Sequence, residues 1–160
     1  MKQDLLKDGK SILFVCTGNS CRSIMAEGYL KKRLEELNRK DISVESTGTG
    51  TISGFRPSPE AVDCMREIGI DVSDYKSSSL SKEAIDKADI ILVMAPVHKE
   101  AILRMAPRTK NKIFYLREFE KKSSLNKIVP DPIGRPVEFY RTVLDIIKKS
   151  LDGFLKWLES

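Results

Sequence analysis

A cysteine and an arginine separated by five residues stand between a short apolar run and a helical pattern. The loop that joins the two patterns consists of Cys16, Thr17, Gly18, Asn19, Ser20, Cys21, Arg22 and Ser23. A tight loop at a helix start directs successive backbone N–H groups into one concave nest, and the helix dipole adds positive potential. The guanidinium of Arg22 is a planar fork that matches two phosphate oxygens. The spacing therefore predicts a site for a tetrahedral dianion.

The same surroundings favour a reactive form of Cys16. Gly18 can adopt the positive φ that such a loop requires, and Asn19 tolerates it better than most residues do. A helix N-terminus and a nearby arginine stabilise a thiolate relative to a thiol, and a thiolate can attack phosphorus to form a phosphocysteine. Ser23 can donate a hydrogen bond to the sulfur when it departs in the second step. The loop therefore predicts nucleophilic catalysis.

A proton donor for the leaving group is expected in the loop before the last helical pattern. Asp131 lies between Pro130 and Pro132, and the two prolines restrict its conformations. Its carboxyl group can protonate the leaving atom and then activate the water that cleaves the phosphocysteine. An ordinary turn aspartate before a helix would have the same surroundings, so the residues alone leave this role open.

The elements that would position these groups alternate between strands and helices. Strands are predicted over 11–16, 41–46, 89–94 and 112–115, and helices over 23–38, 58–69, 81–87, 96–105 and 136–157. This alternation predicts an α/β fold, a three-layer sandwich in which helices cover both faces of a four-stranded parallel sheet of order 2-1-3-4. Ligands of such sheets bind at the carboxyl ends of the strands, where the winding switches direction. The cysteine loop begins at that point.

Composition limits the classes of partner. The 160 residues are predicted to form one domain over 1–160. Scattered Lys and Arg residues give a net charge of +5, which favours anionic partners without indicating nucleic acid binding. No stretch has the apolar length of a membrane span, and the N-terminal residues 1–8 mix charges. We therefore expect a cytoplasmic protein that binds neither membranes nor nucleic acids.

The chain has three cysteines and one histidine. An odd number of cysteines in a cytosolic chain favours thiols over a disulfide framework. No Cys/His cluster has the spacing of a zinc site, so neither a metal nor another cofactor is expected. Cys64 is predicted to be a small core residue. The single histidine, His98, is predicted to lie exposed on a helix without a catalytic role.

Residues 15–27 resemble the signature of the low-molecular-weight protein-tyrosine phosphatases. The pair Asp131 and Pro132 is similar to that family's late acid motif, and residues 46–48 are similar to the segment whose serine supports the phosphate loop. The resemblance covers nearly the whole chain and implies a phosphatase domain. The roles that it implies are Cys16 as nucleophile, Arg22 as phosphate clamp, Asp131 as general acid, and Asn19, Ser23 and Ser46 as loop supports.

The expected substrate rim departs from the tyrosine-specific members of that family. Those members often carry aromatic residues near the positions of Ile52 and Ile133, so Phe55 is the one nearby candidate for stacking on a phosphotyrosine ring. Ser20 stands where they often have an aliphatic residue, and a bacterial branch that acts on phosphoarginine has threonine there. We expect a phosphorylated protein or peptide as substrate and inorganic phosphate as product. Phosphotyrosine is the first candidate because it is the family's commonest activity, and phosphoarginine is the alternative.

Two other interpretations are weaker. Thioredoxin-coupled arsenate reductases have a similar loop, but they need two further cysteines near the middle of the chain, and residues 93–105 contain none. A non-catalytic phosphate-binding module would bind anions through the same loop. The joint presence of Cys16, Arg22 and Asp131 argues against such a module.

Overall fold

The computed structural model describes residues 10–121 and 126–160. The strands in these ranges are β1 (Ser11–Cys16), β2 (Ser43–Gly48), β3 (Ile90–Val93) and β4 (Ile113–Tyr115). The α-helices are α1 (Arg22–Glu36), α2 (Pro59–Glu67), α3 (Lys82–Lys87), α4 (Pro96–Met105) and α5 (Val137–Glu159), and 3₁₀ helices span Pro107–Lys112 and Leu116–Phe119. The N-terminal residues 1–8 considered above lie outside the described residues.

The four strands form one parallel sheet in the order β2-β1-β3-β4. Ile12 and Phe14 of β1 belong to the core that packs against α1, α2 and α5, whereas Leu13 and Val15 belong to the core beneath α3 and α4. The apolar run of β1 is buried because both faces of the central strand are covered. The predicted three-layer α/β sandwich and its strand order are therefore confirmed.

Strand β2 differs most from its predicted position. It covers residues 43–48 rather than 41–46, and Thr47 and Gly48 pair with Val15 and Cys16 of β1. A segment rich in Gly, Thr and Ser is typical of a loop, but pairing with a fully buried neighbour overrides that local preference. This extension brings the end of β2 level with Cys16.

The helix boundaries follow local signals that are visible in the sequence. Ser58 and Ser81 cap α2 and α3, where their side chains accept hydrogen bonds from the backbone N–H groups of Ala61 and Ala84. Pro59 and Pro96 each occupy the first turn of a helix. None of the helices in the described ranges has both the length and the apolar content that a membrane crossing requires.

Candidate active site

The loop of residues 17–21 connects the carboxyl end of β1 to the first residue of α1. Asn19, with a φ of 51°, is in the left-handed region, whereas Gly18 does not have a positive φ. The expectation for Gly18 was therefore wrong. The side chain of Asn19 explains the difference. Its amide group donates to Ser23 and Ser46 at 2.7 and 2.9 Å, and its carbonyl oxygen accepts from a backbone N–H.

Cys16 is buried at the base of this loop. Its Sγ lies 2.9 Å from the hydroxyl oxygen of Ser23 and 3.3 Å from the backbone nitrogen of Asn19, which donates to it. A sulfur at this position can therefore accept hydrogen bonds from two neighbouring groups. The hydroxyl of Ser23 is close enough to the sulfur to donate to it.

A buried network of hydrogen bonds continues from Asn19 into the sheet and α1. Ser46 of β2 donates to Oε1 of Glu27, and the other oxygen of Glu27 accepts from Lys31 at 2.6 Å. Burial alone would lower the pKa of Lys31, but its hydrogen bond to Glu27 and the charge of that carboxylate raise it. Sequence reasoning assigned no role to Glu27 or Lys31. Their spacing of four residues is typical of an ion pair on one helix face, but such a pair is usually exposed and does not indicate a link to a buried network.

Arg22 is held at the mouth of the loop by the segment that precedes α5. Its Nη1 donates to the backbone oxygen of Val129 at 2.9 Å, and its Nη2 lies 3.7 Å from Oδ2 of Asp131. The side chain of Asp131 is 51% exposed, and its Oδ1 accepts from the backbone N–H of Ile133. Asp131 therefore faces solvent at the entrance of the loop.

Most of the predicted site residues meet at a small depression on the carboxyl edge of the sheet. Its lining consists of Cys16, Gly18, Ser20, Cys21, Arg22, Asp131 and Ile133. Ile52 and Phe55 are outside this lining and exposed. Their loop is joined to the phosphate loop, because the N–H groups of Thr49 and Gly50 donate to the carbonyl oxygens of Cys16 and Thr17.

The other two cysteines differ in their surroundings. The thiol of Cys21 lies 3.3 Å from the hydroxyl of Ser58 and 3.5 Å from that of Tyr140. Cys64 is in the core, as predicted, and burial raises the pKa of its thiol. In the part of the chain that the structure describes, no three His, Cys, Asp or Glu side chains are grouped so that they could hold a metal ion.

His98 does not lie exposed on its helix. It is the third residue of α4 and is 0% exposed, and its Nε2 is 2.9 Å from Oγ1 of Thr17. Burial and the positive charge of Arg22 lower its pKa from 6.5 to about 4, although Asp131 opposes this shift. The sequence did contain a signal that His98 could lie near the site. It follows the carboxyl end of β3, and ligand sites in such sheets lie at that edge.

Comparison with known proteins shows the family. The family model of low molecular weight phosphotyrosine protein phosphatases matches residues 11–160. The chain belongs to this family. Within the matched range, Cys16, Arg22 and Asp131 line the same depression. Membership makes the chain a cysteine-dependent phosphatase, as the sequence predicted.

Members of this phosphatase family that are named for different activities are similar to the chain. A probable low molecular weight protein-tyrosine-phosphatase from Ralstonia nicotianae is 33% identical over 146 residues, which are 91% of this chain and 94% of that protein. A protein-arginine-phosphatase from Geobacillus stearothermophilus is 36% identical over 149 residues, which are 93% and 96% of the two chains. A low molecular weight protein tyrosine phosphatase from T. tengcongensis superposes with a TM-score of 0.84 at 38% identity, covering 92% of this chain and 98% of that chain.

An arsenate reductase from Staphylococcus haemolyticus is also 31% identical over 147 residues, which are 92% of this chain and 97% of that protein. The segment 93–105, which runs from the end of β3 through α4, has no cysteine that could pass a disulfide onward. Cys64 lies on α2 in the core instead. The residues of this site therefore favour phosphate hydrolysis over arsenate reduction.

Proposed function

We propose that this protein removes phosphate from phosphorylated proteins through a phosphocysteine intermediate on Cys16. The observation that carries the proposal is the position of the Cys16 thiol. It lies at the base of a depression, within hydrogen-bond distance of Ser23, and shares the lining of that depression with Arg22 and Asp131. A nucleophile, an anion clamp and an exposed acid at one point are what phosphoryl transfer requires.

In the first step the thiolate of Cys16 attacks phosphorus opposite the leaving group. An S–P bond forms while the bond between phosphorus and the leaving atom breaks, and Asp131 gives its proton to the leaving atom. The guanidinium of Arg22 and the N–H groups of the loop bind the other phosphate oxygens, where charge is distributed in the transition state. The product of this step is a phosphocysteine and a neutral leaving group.

In the second step water replaces the leaving group. Asp131, now a carboxylate, accepts a proton from the water as its oxygen bonds to phosphorus, and the S–P bond breaks. The electron pair of that bond returns to Cys16, where the hydroxyl of Ser23 donates to the thiolate. Inorganic phosphate leaves, and Asp131 is again protonated for the next turnover.

Phosphotyrosine is the first substrate that we propose, because relatives of similar identity are named as tyrosine phosphatases. Phe55 on the adjoining loop is exposed and could contact an aromatic ring. Phosphoarginine is the second candidate. The wall of the depression contains the hydroxyl of Ser20 and the aliphatic side chain of Ile133, and a relative at 36% identity is named as an arginine phosphatase.

The mechanism is tested by hydrolysis of an aryl phosphate with the wild type, Cys16→Ser and Cys64→Ala. Cys64→Ala is the matched control because Cys64 is buried outside the site. We expect Cys16→Ser to lose turnover and to keep its affinity for inorganic phosphate, since the loop N–H groups and Arg22 remain. Cys64→Ala should keep turnover. Substantial hydrolysis by Cys16→Ser would exclude a phosphocysteine, and an inactive wild type would contradict the proposed function itself.

A further inference from the structure

Among the described residues, the side chain of His98 makes one hydrogen bond, and its partner lies in the phosphate loop. Its Nε2 lies 2.9 Å from Oγ1 of Thr17, whereas its Nδ1 is buried without a hydrogen-bond partner among the described residues. A buried polar atom without a partner destabilises the fold, so an apolar residue would stabilise this position better. The contact with Thr17 is therefore the feature of His98 that packing alone does not explain.

The direction of this hydrogen bond follows from the unpartnered nitrogen. A neutral imidazole carries one proton, and buried N–H groups without an acceptor are rarer than acceptors without a donor. The favoured tautomer therefore has its proton on Nε2, which donates to Thr17, and leaves Nδ1 as an empty acceptor.

Thr17 is the first residue after the nucleophile, and it is held from a second side. Its carbonyl oxygen accepts from the N–H of Gly50 at 2.9 Å, and the preceding carbonyl, that of Cys16, accepts from Thr49. The contact with α4 fixes the side chain, while the contacts with the loop after β2 fix the backbone. Together they determine where the N–H group of Thr17 points within the anion-binding nest.

We propose that His98 is a positioning residue of this phosphatase, which orients the start of the phosphate loop by donating from Nε2 to Thr17. This inference rests on the proposed phosphatase function and adds a residue that acts through the loop rather than on the substrate. Removal of the donor lets Thr17 rotate and weakens both phosphate binding and transition-state stabilisation. His98 itself transfers no proton.

The surroundings of the His98 ring favour its neutral form, as the proposed positioning role requires. The guanidinium of Arg22 on α1 and the carboxylate of Asp131 in the loop before α5 act on it in opposite directions. Burial is the larger cause, and the net effect lowers the pKa of His98 to about 4. The ring therefore stays neutral at neutral pH.

A double-mutant cycle tests the coupling. We expect His98→Leu and Thr17→Val each to lower kcat/KM and phosphate affinity about fivefold to tenfold, which is the size of one neutral hydrogen bond. The double variant should be no worse than either single variant, because both remove the same bond. His98→Gln, whose amide nitrogen reaches a similar position, should recover most of the loss. Ile102→Val, on the same helix and equally buried, should leave kcat/KM unchanged.

Additive losses in the cycle, or a Gln variant as poor as the Leu variant, would overturn the proposal. If His98→Leu does not fold, the ring is observed directly in the wild type. His98 is the single histidine of the chain, so its imidazole ¹⁵N resonances are identified without assignment. We expect an Nε2–H tautomer that changes in Thr17→Val. An Nδ1–H tautomer, or a ring insensitive to Thr17→Val, contradicts the inference even if the enzyme hydrolyses phosphate normally.

Discussion

At the scale of single residues, Asp131 is more exposed than the other groups that we propose to act on phosphate. Its position at the entrance suits a group that must meet both the leaving atom and water. Asp131→Asn should lower kcat for aryl phosphates by about 10²–10⁴-fold, because a positioned acid contributes that much. The loss should shrink when the leaving group departs without a proton.

The measurement for Asp131 is kcat for a series of aryl phosphates whose phenols differ in acidity. Asp145→Asn is the matched control, since Asp145 is an exposed carboxylate on α5 paired with Lys149, and it should behave as the wild type. If poor and good leaving groups lose the same factor in Asp131→Asn, proton donation is not the role of Asp131.

Ser20 is the residue whose replacement should separate the two substrate candidates. Its hydroxyl lies in the wall of the depression, 3.6 Å from the thiol of Cys21. An isoleucine there would favour an aromatic ring and disfavour a polar guanidinium, which loses its hydrogen-bond partner. We expect Ser20→Ile to raise the ratio of kcat/KM for a phosphotyrosine peptide over a phosphoarginine peptide about tenfold. Ser160→Ile, at the exposed end of α5, serves as control. An unchanged ratio in Ser20→Ile would show that Ser20 does not select the substrate.

Some features of the site could be predicted from the sequence and others could not, and the difference has physical reasons. The proximity of Cys16 and Arg22 was predictable because a short loop fixes their relation through local geometry alone. Glu27 and His98 were missed because their contacts depend on which helix faces lie beneath the loop. Both Gly18 and Asn19 were candidates for the left-handed conformation. Asn19 adopts it, because its three side-chain hydrogen bonds outweigh the cost of its positive φ.

At the scale of elements, the end of β2 sets the space available to the phosphate loop. A Cβ on Gly48 would lie 2.5 Å from the carbonyl oxygen of Thr17, which is backbone and cannot turn aside. We expect Gly48→Ala to displace the loop, to lower kcat/KM at least tenfold and to destabilise the fold by about 1–3 kcal/mol. Steady-state kinetics and urea unfolding measure the two effects.

Gly50→Ala is the matched control for this element. Its Cβ would lie 3.3 Å from a methyl group of Thr17 and 3.8 Å from the same carbonyl oxygen, so a small side-chain shift accommodates it. The expected loss of activity is therefore much smaller than in Gly48→Ala. Equal effects of the two substitutions would show that crowding at the end of β2 does not control the loop.

The elements were predictable where local signals were strong. Caps at Ser58 and Ser81 and prolines in the first turns fix helix starts within the local sequence. The extent of β2 was not predictable, because residues 47 and 48 extend the strand only by pairing with β1. That pairing is a tertiary contact, which local composition does not encode.

At the scale of the whole molecule, the topology follows from a few constraints. Alternating strands and helices with right-handed crossovers leave few arrangements of four parallel strands. The order β2-β1-β3-β4 places two crossovers on opposite faces, and the winding switches beside β1. The loop after β1 and the helix after β3 therefore meet at one edge, which is how His98 of α4 reaches Thr17.

Burial of His98 links the stability of the whole molecule to pH. Its pKa is about 4 in the folded protein against 6.5 in the unfolded chain, so between these values the unfolded state binds a proton that the folded state does not. The free energy of unfolding should therefore fall as the pH decreases through this window. The contribution of His98 amounts to about 2 kcal/mol between about pH 7.5 and about pH 5, at roughly 1.4 kcal/mol per pKa unit.

Urea unfolding of the wild type and His98→Gln at the two pH values isolates this contribution. Carboxylates that lose their partners in acid weaken both proteins equally, so they cancel in the comparison. We expect the wild type to lose about 2 kcal/mol more than His98→Gln, because glutamine does not titrate. Parallel pH profiles of the two proteins would mean that the folded state accepts the proton on His98. The ring would then be accessible or paired with an acid, in contradiction to its burial beneath Thr17.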